Sequence, residues 1–258
     1  DSKTIPTTYV IPGQRVLATV TVKNNSKITW YSDQGRGPND RPMRLHVPGY
    51  RASPYYDATD PAWLSLSQIA MKTPSVAPGQ NAVFEFYVRG PYWPISNYSL
   101  NLVPVIDGLA SLNDIGINYG LATPNPQLGY QYISSVSPPT SMTSGTSISP
   151  QKASITVRNT SNSVWRSDAS GGRNPVRLVM TSPNYRSSPF YDSADPAWLA
   201  PSQIAMKTPV VNPGENAVFE FGWKAPAQTG NYLEYFTLVV DGYKIFPEYG
   251  SAFRTIVN

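Results

Sequence analysis

Tyr50–Phe86 reads YRASPYYDATDPAWLSLSQIAMKTPSVAPGQNAVFEF, and Tyr185–Phe221 reads YRSSPFYDSADPAWLAPSQIAMKTPVVNPGENAVFEF. Of these 37 positions 28 are identical, without a gap and at a constant offset of 135 residues. The match extends outward more loosely. Val20–Trp30 (VTVKNNSKITW) falls on Ile155–Trp165 (ITVRNTSNSVW), and Asn97–Gly108 (NYSLNLVPVIDG) on Asn231–Gly242 (NYLEYFTLVVDG). One domain is written twice. Its period is too long for a solenoid repeat, because each unit is large enough to close its own core. The duplication is also an internal control: residues kept in both copies serve the fold or a shared function, and residues in one copy belong to that copy alone.

Strand signals dominate. Val16–Val22 (VLATVTV) alternates apolar residues with Thr. Ala82–Val88 (AVFEFYV) puts Ala82, Phe84, Phe86 and Val88 on one face and Glu85 on the other, and Tyr232–Thr237 alternates in the same way. Pro78-Gly79 and Pro213-Gly214 predict type II turns, where glycine supplies the positive φ. Asp107-Gly108 and Asp241-Gly242 predict hairpin turns of the primed type. Asp60-Pro61-Ala62-Trp63-Leu64 and Asp195-Pro196-Ala197-Trp198-Leu199 offer an Asp N-cap followed by Pro at the first helical position, which predicts one short helical turn per copy. The fold class expected is all-β: two tandem immunoglobulin-like β-sandwiches, each with one short helical turn.

The expected domains are residues 1–123 and 124–258. The Pro/Ser/Thr/Gly-rich stretch within 124–150 is either a linker or a leading strand of the second sandwich. Gln127–Ile133 is expected to form the first strand of copy 2, with Lys3–Val10 as its counterpart. Whether Asp1–Val10 pairs in cis or is donated to a neighbour stays open, with trans pairing the slightly favoured expectation.

Composition narrows the function. Charged residues make up 14% of the chain, the formal net charge is +4 and no Lys/Arg run occurs, so nucleic acid is not an expected partner. No apolar stretch reaches the length that spans a bilayer, and no membrane insertion is expected. Cysteine is absent, which excludes a disulfide scaffold. The start at Asp1 without Met, together with abundant Ser, Thr, Asn, Tyr and Pro, leads to the expectation of a secreted or cell-surface location.

The order of motifs resembles a known domain. Asn24 leading to Trp30 (Asn159 to Trp165) is followed by Arg44-Leu45 (Arg177-Leu178) and the Asp-Pro-Ala-Trp-Leu turn. Val-x-Pro-Gly-x-x-Ala-x-Phe-x-Phe, Asn-Tyr and Val-x-Asp-Gly complete it. This resembles the four-tryptophan immunoglobulin-like domain of selective-autophagy receptors, which recurs as tandem repeats in bacterial extracellular proteins. The resemblance implies the sandwich fold and a binding or spacer role rather than catalysis. This sequence departs from the pattern, since only two tryptophans per copy share positions, Trp223 falls opposite Val88 and Trp93 has no counterpart.

Candidate chemistry is sparse. His46, the one histidine, has Val179 in its place in copy 2 and is expected to be solvated or on an edge strand. A Ser-His-Asp triad is open to copy 1 alone, and a His/Cys zinc site is excluded. Asp57 and Asp60, repeated as Asp192 and Asp195, read either as a calcium loop or as follows: Asp60 and Asp195 cap the turn, and Asp57 and Asp192 brace Arg51 and Arg186 or a turn amide; calcium is the one cofactor considered, and none is favoured. Trp30, Trp63, Trp165 and Trp198 are expected in the core. Tyr92 and Trp93, where copy 2 has Ala227 and Gln228, are expected as an exposed aromatic loop that binds sugar, packs on the other domain or meets a neighbouring subunit. Asn24, Asn97 and Asn159 each begin an N-glycosylation acceptor triplet.

The function expected from these features is a non-enzymatic structural or adhesive protein, a subunit of a cell-surface filament, layer or adhesin stalk. Its expected partner is protein, through self-association by edge strands or the N-terminal segment. The alternative is a carbohydrate- or cell-wall-binding accessory module of a larger secreted protein, with glycan as the partner.

Overall fold

The computed structural model describes residues 2–37, 40–112, 114–171, 174–181, 185–246 and 251–258. Apart from two 3-10 turns, its regular structure is all strand, and the chain divides into two compact units, Asp1–Pro126 and Gln127–Asn258.

In unit 1 the strands are β1 (Ser2–Thr4), β2 (Arg15–Lys23), β3 (Trp30–Tyr31), β4 (Met43–His46), β5 (Trp63–Ser65), β6 (Gln68–Ala70), β7 (Ser75–Val76), β8 (Asn81–Arg89), β9 (Ile95–Ile106), β10 (Ala110–Ser111) and β11 (Ile117–Thr123). One sheet runs β1-β2-β8. The other runs β10-β9-β4-β6-β5, with β11 also on β9, and β3 pairs β7 apart from both. The alternation read in the sequence is realised in β8, where Ala82, Phe84, Phe86 and Val88 are all fully buried. They meet Val20, Leu45, Trp63, Ile69 and Leu102 in one core between the sheets.

Unit 2 repeats the plan with β12 (Tyr130–Val136), β13 (Ser141–Met142), β14 (Ala153–Asn159), β15 (Trp165–Arg166), β16 (Val176–Met180), β17 (Trp198–Ala200), β18 (Gln203–Ala205), β19 (Val210–Val211), β20 (Asn216–Phe221), β21 (Gly230–Val240), β22 (Lys244–Ile245) and β23 (Ser251–Val257). Its sheets run β12-β14-β20 and β13-β23-β21-β16-β18-β17, with β22 on β21. The Ser/Thr/Pro-rich stretch after Pro126 is therefore a leading strand, since β12 and β13 lie within it.

The first strand of each unit crosses from one sheet to the other. Ser2–Thr4 pairs antiparallel with Thr19–Thr21, after which Tyr9 bridges Ala122 in parallel and the Val10 amide donates to Ala122 O at 2.9 Å. Likewise β12 is antiparallel to β14 and β13 is parallel to β23. This corrects the expectation that leaned to trans donation: the chain pairs its own N-terminal segment in cis. Asp1 lies outside the described residues.

Two local expectations are also corrected. Asp60-Pro-Ala-Trp63 is a β-turn and not a helical one. The Trp63 amide donates to Asp60 O at 3.1 Å, and β5 starts at once. Asp195 and Trp198 repeat it at 3.1 Å. The 3-10 turns lie elsewhere, at Pro48–Tyr50 and Asp168–Ser170. The Asp-Gly hairpins are not primed, because only Gly108 (φ 67°) and Gly242 (φ 69°) have positive φ and each loop has three residues. The Pro-Gly turns are as read, with Gly79 at φ 83° and the Gln80 amide donating to Ala77 O at 3.0 Å.

Candidate functional site

The carboxylates of the shared motif hold the fold together. Asp60 Oδ1 accepts from the Ala62 amide at 3.1 Å and Oδ2 from the Tyr87 amide at 2.5 Å, tying the turn to β8. Beneath it the Trp63 indole N–H donates to Tyr87 O at 2.7 Å. In unit 2 Asp195 caps Ala197 at 3.1 Å and accepts from the Gly222 amide, while the Trp198 indole donates to Gly222 O at 2.8 Å. Trp63 and Trp198 are equally buried, at 5% exposure each, and Trp30 and Trp165 are buried too.

Asp57 is fully buried between two guanidinium groups, Arg15 and Arg89, the latter at 2.9 Å, and its Oδ1 also takes the Thr59 hydroxyl at 2.7 Å. Burial pushes its carboxyl up, but Thr59, Arg89 and Arg15 outweigh this and hold it below the usual range. Unit 2 solves the same problem differently: Asp192 accepts from Ser147 Oγ at 2.7 Å, and Lys152 reaches Asp195 at 2.8 Å. Of the two expected braces the turn amide is the one found, Thr59 donating to Asp57 Oδ1 at 3.1 Å and Ala194 to Asp192 Oδ1 at 3.2 Å, while Arg186 pairs instead with the buried Glu234 at 2.8 Å. A calcium ion takes roughly six to eight oxygens. These carboxylates face cations and amides, and no group of three or more potential metal ligands gathers among the described residues.

His46 is neither solvated nor on an edge. It is 5% exposed on β4, between β6 and β9, with its ring stacked on Tyr50 at a centroid distance of 4.7 Å. Nδ1 lies 3.1 Å from Val47 O and Nε2 3.2 Å from Ser111 Oγ, so a backbone carbonyl stands where a triad would have a carboxylate.

The aromatic loop is half corrected. Trp93 is 41% exposed, but Tyr92 is buried at 4%. Its loop approaches the chain at Ile11 closely, since a side chain on Gly90 would collide with Ile11 O. Two of the three glycosylation triplets are structural as well. Asn24 is fully buried: its amide nitrogen donates to Ile28 O and Val76 O at 2.8 and 2.9 Å, and its oxygen accepts the Ser26 hydroxyl at 2.7 Å. Asn159 is held in the same way by Ser163 O, Val211 O and Ser161. Asn97 is exposed.

A second shared constellation escaped the sequence reading. Arg44 is clamped between Asp33 (2.5 Å) and Asp107 (2.7 Å), with Gln68 alongside. Arg177 is clamped between Asp168 (2.6 Å) and Asp241 (2.8 Å), with Gln203 alongside. The Asp-Gly turn, the loop after the first shared Trp and the central strand are thereby locked to one another. The recurrence of Asp33 as Asp168 at the common offset was the available signal.

The two copies differ beside the first shared Trp and on the leading strand. Beside Trp30 a cleft of about 430 Å3 opens, lined by Ile28, Tyr31, Met43, Ile106 and Leu109. In unit 2 Phe246 meets Trp165 edge-on at 5.3 Å. On the edge, β12 exposes Tyr132 (43%), Ile133 (42%) and Val136 (60%).

No family model and no curated protein matches the chain. Among solved structures it is similar to a protein of unknown function from Porphyromonas gingivalis W83, at 9% identity and a TM-score of 0.24, covering 98% of this chain and 94% of that one. It is similar to a BspA chain at 9% identity and TM-score 0.27, covering 98% and 99%. The collagen adhesin CNA from S. aureus is similar at 10% identity and TM-score 0.23, covering 100% and 91%. Likenesses at this level carry no argument about function.

Proposed function

We propose that the chain is a non-enzymatic structural or adhesive unit of a cell surface, built from two independently folding immunoglobulin-like domains and engaging protein partners through its sheet edges. The observation that carries this reading is the placement of its exposed apolar residues. Tyr132, Ile133 and Val136 lie on β12, which ends its three-stranded sheet, so that edge presents both backbone groups and apolar side chains to an incoming strand. The ionisable groups of the shared motifs, by contrast, are engaged in ion pairs and caps that hold turns. Kinship with the four-tryptophan domains belongs to the same proposal. It is supported by the repeated Asn-to-Trp turn and Asp-Pro-Ala-Trp motif.

Negative-stain microscopy and sedimentation of the concentrated protein test this. Regular filaments or a lattice are expected, and Ile133→Lys should disperse them while leaving the melting temperature within about 2 °C. A protein that stays monomeric at millimolar concentration would overturn the self-associating form. The second reading, a glycan-binding module, is favoured by one observation, the exposed Trp93 ring. Saturable glycan binding that Trp93→Ala removes would establish it.

A further inference from the structure

Both copies keep a large side chain at a backbone position that disfavours one. Among the described residues three non-glycines have positive φ, and two of them are equivalent tyrosines, Tyr50 (54°) and Tyr185 (61°). Glycine or asparagine fits that conformation better than a bulky residue. Burial does not explain the choice, since Tyr50 is 52% and Tyr185 38% exposed. Nor is the neighbouring surface held so constant. Exposed Ala52, Ala58, Leu66, Ser75, Ala77 and Gln80 all change in the second copy, to Ser187, Ser193, Pro201, Val210, Asn212 and Glu215.

The surroundings of the two rings are shared as well. Leu45 points into the core, so Arg44 and His46 lie on the outer face of β4, and Tyr50 stacks on His46. Gln68 is in register with His46, as Gln203 is with Val179. Leu64 and Leu199, next to the buried Trp63 and Trp198, are both 43% exposed. Arg44 Nη1 reaches Gln68 Oε1 at 3.4 Å and Asp107 at 2.7 Å, and Arg177 Nη1 reaches Gln203 Oε1 at 3.0 Å and Asp241 at 2.8 Å. Tyr50 is within electrostatic range of Arg44, and Tyr185 of both Asp241 and Arg177. The side chains of Asp107 and Asp241 stay 35% and 34% exposed, so their oxygens retain lone pairs for a further donor.

Each outer face thus presents an exposed aromatic ring, an exposed leucine, and amide, guanidinium and carboxylate groups with hydrogen-bonding capacity left over. A sugar ring matches that set. Its C–H face packs on an aromatic ring, and its adjacent hydroxyls bond planar polar groups in pairs. Of the shared groups two carboxylates face one guanidinium, which disfavours an acidic sugar. Two equal sites in one chain also suit a ligand that repeats its own unit, as a polysaccharide does. We propose that the outer face around Tyr50, and its equivalent around Tyr185, each bind a neutral sugar unit of a glycan, with the two tyrosines as platforms.

These sites involve neither β12 nor Trp93, so their loss and the loss of self-association are read separately. The full chain, dilute enough to sediment as a monomer, is applied to an array of neutral and acidic glycans, and saturable binding to a neutral glycan is expected. With a short oligosaccharide of that glycan, equilibrium dialysis should count two sites per chain, one in Tyr50→Asn, one in Tyr185→Asn and none in the double variant. Asparagine accepts a positive φ, so all three variants should still melt cooperatively. Tyr50→Phe and Tyr185→Phe, which keep the ring, should each retain both sites. A tyrosine that only held the loop would leave the count at two in the folded Asn variants, and that result would overturn the proposal. No saturable binding on the array, or binding to acidic glycans alone, would overturn it too. Self-association lost in the double variant, with no glycan bound, would assign the face to a protein partner instead. Filaments without glycan binding would leave the adhesive reading and remove this one.

Discussion

Asp57 and Glu234 are both buried carboxylates, and their titrations pull stability in opposite directions. Asp57 is held below its ordinary range, so its contribution is complete above about pH 4 and is lost as pH falls through the lower folded value. Asp57→Asn leaves Arg89 buried without its counter-charge and should cost about 3–5 kcal/mol in urea unfolding at pH 7. Glu234 is pushed up by burial, which the nearby Arg186 offsets only in part. Its protonated form is the favoured one in the fold, so its contribution is complete below about pH 4 and fades as pH rises through the raised value. Glu234→Gln should therefore remove a loss of stability on going from acid to neutral pH. Melting curves from pH 4 to 8 that keep the parent's slope would refute this. Glu234 sits where unit 1 has Leu100, so the effect belongs to unit 2 alone.

At the scale of elements, the Pro-Gly turns give the cleanest test of backbone conformation. Gly79 sits at φ 83° with open space where a Cβ would go, so Gly79→Ala costs conformational strain only. A loss of about 1–2 kcal/mol is expected in equilibrium unfolding. Those turns and the long strands were legible because a two-residue period and a Pro-Gly pair each point to one conformation. The Asp-Pro-Ala-Trp motif was read as helical because its first four residues carry the same chemistry in a helix and in a β-turn: an Asp accepting a nearby amide, then Pro at a fixed φ. What decides between them is Trp63, drawn into register with Ile69, and that is a tertiary fact. The arginine partners of Asp57 were misread for a related reason. Arg51 is six residues away in sequence, but Arg15 and Arg89 are brought in by β2 and β8, and no local pattern announces such pairs. His46 and Tyr92 were placed outside because single polar or aromatic residues carry no periodic signal of the layer that covers them.

For the molecule as a whole, each unit contains the partners of its own strands, so 1–126 and 127–258 expressed separately should each unfold cooperatively in a calorimeter. A fragment lacking a transition would show that the copies are not independent. Adding a chelator to the full chain should leave its melting temperature unchanged, because the four motif carboxylates are committed to cations and amides; a fall of many degrees would reveal a bound ion. A different consequence follows from Asn24 and Asn159. Both amide hydrogens of each side chain are spent on carbonyls inside the fold. An oligosaccharide attached to either nitrogen during synthesis would remove one of those hydrogens and leave a bulky, hydrated chain where two strands must close. Passage through a eukaryotic secretory pathway thus becomes a race between closure of each loop and the transferase that meets it. The molecules that emerge folded should carry sugar at Asn97 alone, and those modified earlier should be retained and degraded.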